Sequence, residues 1–289
     1  SILIQGTRAM EVFSVAPTSL TKYGQEINQW AEANPKIKVY ALLAPTSLEF
    51  YGPDDYRTEN HSALRAMKIV YEQMTAKNIT TVETRNPIAK HVDEYIYFRT
   101  DHHWTARGAY YAYTAFCKAA GLKATNLKDH QSGTIQDFVG SYYRYTNSAT
   151  LKENPDYVEY FMPLSQVTGT VWSDADTSKE GRSVEAINTN ITQSNKYLCF
   201  IAGDNPVERF VTSNKNGKKI VIIKESYGNA FAPWLMDNYE EVWVLDPRKV
   251  DTNLTDFITK NGINEVLFLN YAFAPSNPTY MTAFTKMLS

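Results

Sequence analysis

Asp101, His102, His103 and Trp104 follow one another between an apolar run, Tyr95 to Thr100, and a helix-like run that starts at Ala106. A carboxylate beside an imidazole is the base half of a nucleophilic triad, because the carboxylate fixes the ring tautomer and stabilises the imidazolium. If Tyr95–Thr100 is a strand, side chains two apart share a face, so Asp101 and His103 point together and His102 points away. What the tetrad lacks is a nucleophile. Ser226 is the candidate, since it follows the apolar run Lys219–Lys224 and precedes Tyr227, Gly228, Asn229 and Ala230, small enough in part for a tight turn into a helix. A hydroxyl there can face a crevice, with backbone N–H groups at hand for an oxyanion. The flanks are not Gly-x-Ser-x-Gly, and a serine after a strand is also a common helix cap. Ser226 gains its interest from the pair that needs it.

The elements that would carry these groups alternate. A helix with Leu20, Tyr23, Ile27, Trp30 and Ala31 on one face precedes a buried-looking strand, Lys38–Ala44. A second helix bears Leu64, Met67, Tyr71 and Met74, and Ile79–Glu83 reads as another strand. After the tetrad, Thr105 can cap a helix with Ala109, Tyr113, Phe116 and Cys117 on one face, ended by Gly121. From about Leu127 to Lys196, polar and glycine residues punctuate short aromatic segments, which predicts a β-rich or irregular insertion within one domain over 1–289. Tyr197–Ala202, Lys219–Lys224, Glu241–Leu245 and Glu265–Leu269 then read as buried strands. The pattern predicts an α/β fold with a mainly parallel, doubly wound sheet. In such sheets sites form beyond the C-terminal strand ends. Thr46, Ser47, Asp101, His103, Asp204, Asn205, Ser226, Arg248 and Asn270 all occupy positions of that kind.

Each candidate has a plainer reading. Asp101 and His103 could merely brace a strand-to-helix turn, and Trp104 could pack at the helix entrance. Arg248 could pair with Asp246, or could bind a carboxylate or a developing negative charge. Asn270 is either an oxyanion donor or a loop residue, and Tyr227 belongs with them as a residue beside the serine. A metal site on Asp101, His102 and His103 would need adjacent residues in awkward geometry, with no further histidine at ligand spacing. Neither a metal nor any other cofactor is expected.

Composition removes several function classes. A formal net charge of −2 gives no reason to expect nucleic acid as a partner, and the longest aliphatic run, Ile220–Ile223, cannot span a bilayer. Cys117 and Cys199 form no metal motif, read as small buried hydrophobes, and leave open whether they are linked. The chain opens at Ser1 without a signal-like segment. Its 20 tyrosines and 5 tryptophans are enough to line a sugar-stacking surface as well as a core.

Thr100-Asp-His-His-Trp-Thr105, followed by Gly108 and a Tyr/Ala-rich helix, resembles the signature of the DHHW protein family of bacteria. That family is similar to the SGNH-hydrolase-like domains of the alginate O-acetylation proteins, where an Asp-x-His-Trp motif precedes the serine in a permuted order. The likeness extends to Phe138–Tyr142, Gly203–Pro206, Ser226-Tyr227 and Asp246–Arg248, and so covers most of the chain from about Lys38. It implies a permuted SGNH-like fold with Ser226 as nucleophile, His103 as base, Asp101 as orienter and Arg248 as a site cation. His102 and Glu225 depart from the pattern of the alginate proteins. The implied activity is an O-acyl, chiefly acetyl, esterase or acyltransferase acting on a cell-surface or secreted polysaccharide. An extracellular or cell-surface location and association with a membrane acetylation complex come with it. The alternative is a non-catalytic SGNH-like module that binds a glycan or a protein.

Overall fold

The computed structural model describes all residues, Ser1–Ser289. The chain opens with a hairpin, β1 (Ile2–Gln5) and β2 (Arg8–Glu11), then α1 (Pro17–Ala33), β3 (Lys38–Ala44), α2 (Leu48–Tyr51), α3 (Ala63–Tyr71), β4 (Ile79–Val82), α4 (Arg85–Ala89) and α5 (Ala106–Ala120). The middle segment holds β5 (Ser132–Phe138), α6 (Ser141–Thr146), α7 (Ala149–Glu153), β6 (Asp156–Phe161), β7 (Val167–Trp172) and β8 (Arg182–Val184). The last part holds β9 (Val207–Thr212), β10 (Lys219–Lys224), α8 (Ala232–Leu235), β11 (Glu241–Leu245), α9 (Leu254–Asn261), β12 (Glu265–Tyr271) and α10 (Pro278–Leu288).

Eight strands form the central sheet in the order β4-β3-β12-β10-β11-β9-β7-β8. The five from β4 to β11 run parallel. The pairings β11–β9, β9–β7 and β7–β8 are antiparallel. The sheet is therefore mixed, which corrects the mainly parallel, doubly wound expectation. The difference arises where β7 to β9 meet. Their connections lack the crossover helix that a parallel return requires, so the strands double back.

Successive residues of the central strands serve opposite faces. Tyr40, Leu42, Ile220, Ile222, Val242, Val244, Leu267 and Leu269 join a core with α4, α5 and α8. Val39, Leu43, Val221, Ile223, Trp243, Leu245, Val266 and Phe268 join a second core with α1, α3, α9 and α10. Because both faces are covered, these strands read as unbroken apolar runs rather than alternating ones. The segment 127–196 contributes to two sheets. Its β5 and β6 make a two-stranded ribbon, while β7 and β8 extend the central sheet.

Two expected strands are absent. Tyr197–Ala202 is a single helical turn at Lys196–Cys199, followed by Ile201 and Ala202 at φ 46° and 57°. Tyr95–Thr100 makes only an isolated bridge, Tyr97 with Trp104. Both runs are largely buried, and burial alone cannot tell a strand from a packed turn.

Candidate active site

Ser226 opens a helical turn, Ser226–Asn229, directly after β10. The tetrad approaches it from a tight reversal closed by Thr105 N–H donating to the Ile96 carbonyl at 3.0 Å. Thr105 then caps α5 by accepting from Gly108 N–H at 3.1 Å. Trp104 is fully buried, and its Nε1–H donates to the Tyr227 carbonyl at 2.9 Å, tying the tetrad to the serine turn. The Tyr227 hydroxyl ties the halves a second time by donating to the His102 carbonyl.

Asp101 Oδ1 lies 2.6 Å from His103 Nδ1, and His103 Nε2 lies 2.8 Å from Ser226 Oγ. With Nδ1 protonated toward the carboxylate, Nε2 is left to accept the serine proton. Asp101 also accepts from His103 N–H at 3.1 Å and, through Oδ2, from Ser141 N–H at 2.8 Å. Burial would raise this carboxyl, but the neighbouring histidine charges and these hydrogen bonds outweigh it and hold it well below the usual carboxylate range. Tyr197 stacks on the His103 ring, with centroids 3.9 Å apart and planes at 8°, and donates to the Ser226 carbonyl at 2.9 Å. The imidazole is thus fixed in rotation as well as in tautomer.

His102 does not point away. Its ring centre lies 3.8 Å from that of His103, and it faces the same cavity as Ser226. Strand parity fails here because residues 101–103 are a bend, not a strand. His102 Nδ1 pairs with Ser141 Oγ at 2.6 Å, while burial and the adjacent His103 lower its pKa from 6.5 to about 4. The ligand atoms of Asp101, His102 and His103 fall within 4.8 Å of one another. Both nitrogens of His103 are already engaged, by Asp101 and Ser226, so a metal there would have to displace a hydrogen bond.

Residues outside the tetrad pin it in place. Asp156 is buried and accepts from Thr100 N–H at 2.7 Å, Thr100 Oγ1 at 2.6 Å and Arg99 N–H at 3.1 Å. Gly140 passes so close to Asp101 that a Cβ at that position would sit 2.3 Å from the Asp101 Cβ. From the other side, Ala9 N–H donates to the Arg99 carbonyl at 2.8 Å, and the Arg8 guanidinium donates to the Phe98 carbonyl at 3.0 Å. Gly140 and Ser141 lie in the segment Phe138–Tyr142 that carried part of the family likeness, without a role, whereas Asp156 and Tyr197 had no signal in the sequence beyond an Asp and a Tyr among many.

A cavity of about 670 Å³ opens over Ser226, with Thr46, His102, Glu225, Tyr227 and Arg248 among its walls. Arg248 is held by Asp246 (Nε–Oδ1 2.9 Å) and by Asp204 (Nη2–Oδ2 2.7 Å), while its Nη1 has no partner in the chain. Behind it, fully buried Lys224 reaches Asp204 at 2.9 Å and Asp246 at 3.7 Å. Burial opposes the Lys224 charge, yet Asp204 and Asp246 more than restore it. Asn205 donates to Glu208 at 3.1 Å and to the Ile201 carbonyl, outside the cavity wall. Asn270 corrects the oxyanion expectation. It is fully buried, accepts from Tyr23 at 2.6 Å and donates to Tyr280 at 2.7 Å, and so braces β12 rather than facing Ser226. Cys117 and Cys199 are both free thiols in the core.

Glu225, the other departure from the expected pattern, is buried beside the serine. Its Oε2 accepts from Tyr227 N–H at 3.0 Å and its Oε1 from Tyr271 N–H at 2.8 Å. The N–H that follows the serine is therefore occupied.

Glu208 gives this region a stability signature. One of its oxygens is buried without a partner, and burial pushes its carboxyl up from 4.5 to about 8. The folded chain keeps that proton where the unfolded chain has lost it, so stability falls as pH rises from 4.5 to about 8. His102 works in the opposite sense between about 4 and 6.5, where the unfolded chain binds the extra proton. The two contributions oppose each other below 6.5 and only the Glu208 slope remains above it. The melting temperature is expected to drop between these limits of 6.5 and 8, and Glu208→Gln to remove the drop. Calorimetric melts of both proteins across that range check it; an unchanged slope in the variant would place the proton elsewhere.

The DHHW protein family model matches residues 1–245. Among solved structures, the crystal structure of a DHHW family protein from Eubacterium siraeum is 28% identical, with a TM-score of 0.87 over 100% of this chain and 98% of that one. PatB1 of Bacillus cereus is 18% identical, with a TM-score of 0.77 over 97% and 98%. The O-acetyltransferase domain of Pseudomonas putida AlgJ is 11% identical, with a TM-score of 0.54 over 99% and 98%. No curated protein matches the chain in sequence.

Proposed function

The chain belongs to the DHHW protein family, and from that premise we propose that it is a serine-dependent O-acyltransferase of the SGNH type, acting on a polysaccharide. The observation that carries this reading is the hydrogen-bonded series Asp101–His103–Ser226, whose serine end opens into the cavity. Ser226 Oγ attacks the carbonyl carbon of an acyl ester while His103 Nε2 takes its proton. The tetrahedral intermediate collapses, the ester C–O bond breaks, and His103 returns the proton to the leaving alcohol. A sugar hydroxyl then attacks the acyl-serine, gives its proton to His103, and the C–Oγ bond breaks with Oγ reprotonated. Water in place of the sugar makes the same site an esterase.

The oxyanion needs donors, and Tyr227 N–H is taken by Glu225. Arg248 Nη1, unpartnered and at the cavity wall, fits that role together with the Ser226 N–H. The acetyl group as the acyl unit is supported by the O-acetyltransferase domain among the structural neighbours, at the level of a shared fold. An extracellular or cell-surface site of action, alongside a membrane complex that supplies acyl groups, belongs to the same proposal. No helix is long and apolar enough to cross a membrane.

One observation favours the alternative, a non-catalytic binding module. The Glu225 carboxylate lies 3.5 Å from Ser226 Oγ, where a negative charge would oppose an oxyanion. Burial raises the Glu225 carboxyl, which weakens that objection. A serine-directed organophosphonate separates the two readings. It is expected to add its mass to Ser226 in the parent and not in His103→Ala, and acetyl transfer from a small activated ester to an oligosaccharide should appear by mass spectrometry. A parent protein that is never labelled and forms no acetylated sugar is the binding module.

A further inference from the structure

The amino-terminal hairpin does more than brace the tetrad. Its last strand carries Glu11 into the wall of the Ser226 cavity, and Phe13 follows on the same wall. The Glu11 backbone is fixed by its N–H donating to the Tyr142 hydroxyl at 3.0 Å. Its carboxylate, by contrast, has no hydrogen bond or ion pair in the chain. It is half-buried, and burial raises its carboxyl above the usual 4.5. A carboxylate held in a cavity with its acceptor capacity unspent is suited to hydrogen-bond donors on a ligand.

The amino-terminal ammonium acts on Glu11 from across the hairpin but is outweighed by burial, and the charges on the cavity wall do not offset it. Glu225 is a second acid on the wall. Arg248 is the only cation there, and two carboxylates, Asp204 and Asp246, already pair with it. Arg144 is exposed to solvent, where its charge is screened. The aromatic residues supply the complementary surface. Phe13 stacks on Phe273 at 5.0 Å and packs against Tyr271 at 5.4 Å, forming one apolar wall. Tyr145, 71% exposed, stands on the α6 side of the opening. A pyranose ring presents an apolar face to such a wall and hydroxyl or amino groups at its rim.

We propose that Glu11 is a specificity-determining residue of the acceptor subsite, accepting hydrogen bonds from the hydroxyl or ammonium groups of a neutral or amino sugar and rejecting uronates. This rests on the acyltransferase reading for its word acceptor, but not for the binding preference. Glu11 takes no part in bond making; it selects which sugar lies beside the acyl-serine. A uronate carboxylate would be brought toward Glu11 and Glu225 with one already paired guanidinium to receive it. An ammonium would meet an unpaired carboxylate.

Binding of tetrasaccharides of glucosamine, glucose and galacturonate, measured calorimetrically at low salt and slightly acid pH, tests this directly. The parent is expected to prefer them in that order. Glu11→Gln should narrow the glucosamine-to-galacturonate affinity ratio about tenfold, the size of one partly buried charge interaction. Glu11→Lys should invert the order, and Glu180→Gln, an equal charge change on an exposed loop away from the cavity, should leave it alone. Charge-blind binding by the parent, an unchanged ratio in Glu11→Gln, or no binding of any of the three overturns the proposal. Binding does not need the nucleophile. Selective binding without any ester turnover would keep the Glu11 assignment and remove the catalytic one, whereas turnover with charge-blind binding would do the reverse.

Discussion

Ser226→Ala and His103→Ala are each expected to lower turnover of a small activated acetyl ester by roughly 10⁴- to 10⁶-fold. The reason lies in the 2.8 Å contact between them, since neither group activates the other alone. The double variant should lose no more than either single one, because the second change removes a partner that has already lost its function. Asp101→Asn should keep the geometry yet still cost roughly 10⁴-fold, since an amide N–H set against Nδ1 favours the tautomer whose Nε2 is protonated and cannot take the serine proton. Thermal melts of each variant, run beside the kinetics, separate loss of chemistry from loss of fold. Turnover by Ser226→Ala equal to the parent would end the nucleophile assignment.

The largest expected effect on stability is at Lys224. Its side chain has no solvent exposure, and its ammonium sits between Asp204 and Asp246. Removing the cation leaves Arg248 as the one positive charge for both carboxylates, of which Asp246 is fully buried, so Lys224→Met is expected to cost about 3 kcal/mol. In urea this should lower the unfolding midpoint by at least about 1 M. Because Lys224 helps hold the Asp204 carboxyl well below its usual range against burial, that carboxyl should rise in the variant. The deficit should then shrink as pH falls and the Asp204 carboxylate takes up a proton. The stem of Lys224 also packs against the serine turn, where a Cβ on Gly228 would lie 2.6 Å from the Lys224 Cβ. A midpoint equal to the parent's would mean that the carboxylates find other partners and that the lysine is dispensable.

The parts of this structure that could be read in advance are those whose cause is local. Lys38–Ala44, Lys219–Lys224 and Glu241–Leu245 are strands because branched and aromatic residues pack on both faces, and the composition of the run says so. Thr105 announces α5 because a hydroxyl before a helical pattern caps it. Tyr197–Ala202 and Tyr95–Thr100 look the same by composition, yet their hydrogen bonds go into turns chosen by distant neighbours. The direction of β7 and β9 depends on which edge of the sheet was open, which no window of residues records. At the site, the types Asp, His and Ser were legible. Their supports were not, because Asp156 and Tyr197 are ordinary residues made special only by where the chain returns, and the likeness at Phe138–Tyr142 did not say what Ser141 holds. Asn270 shows the converse, a polar residue at a strand end that two tyrosines claim for the core.

The tetrad is anchored by the hairpin near residue 9, by Gly140 and Ser141, by Asp156 and by the turn at Ser226. Those contacts close loops of 40 to more than 120 residues, as the separations of 40 for Asp101–Ser141 and 123 for His103–Ser226 set out. Contacts of such high contact order are reached only after the chain entropy of the intervening loops has been surrendered, and they come late in folding. Helices such as α5 can form early from their own residues, but the Asp101–His103–Ser226 series exists only once the strand order has been resolved. During synthesis Ser226 and His103 stay apart until the last third of the chain has joined the sheet.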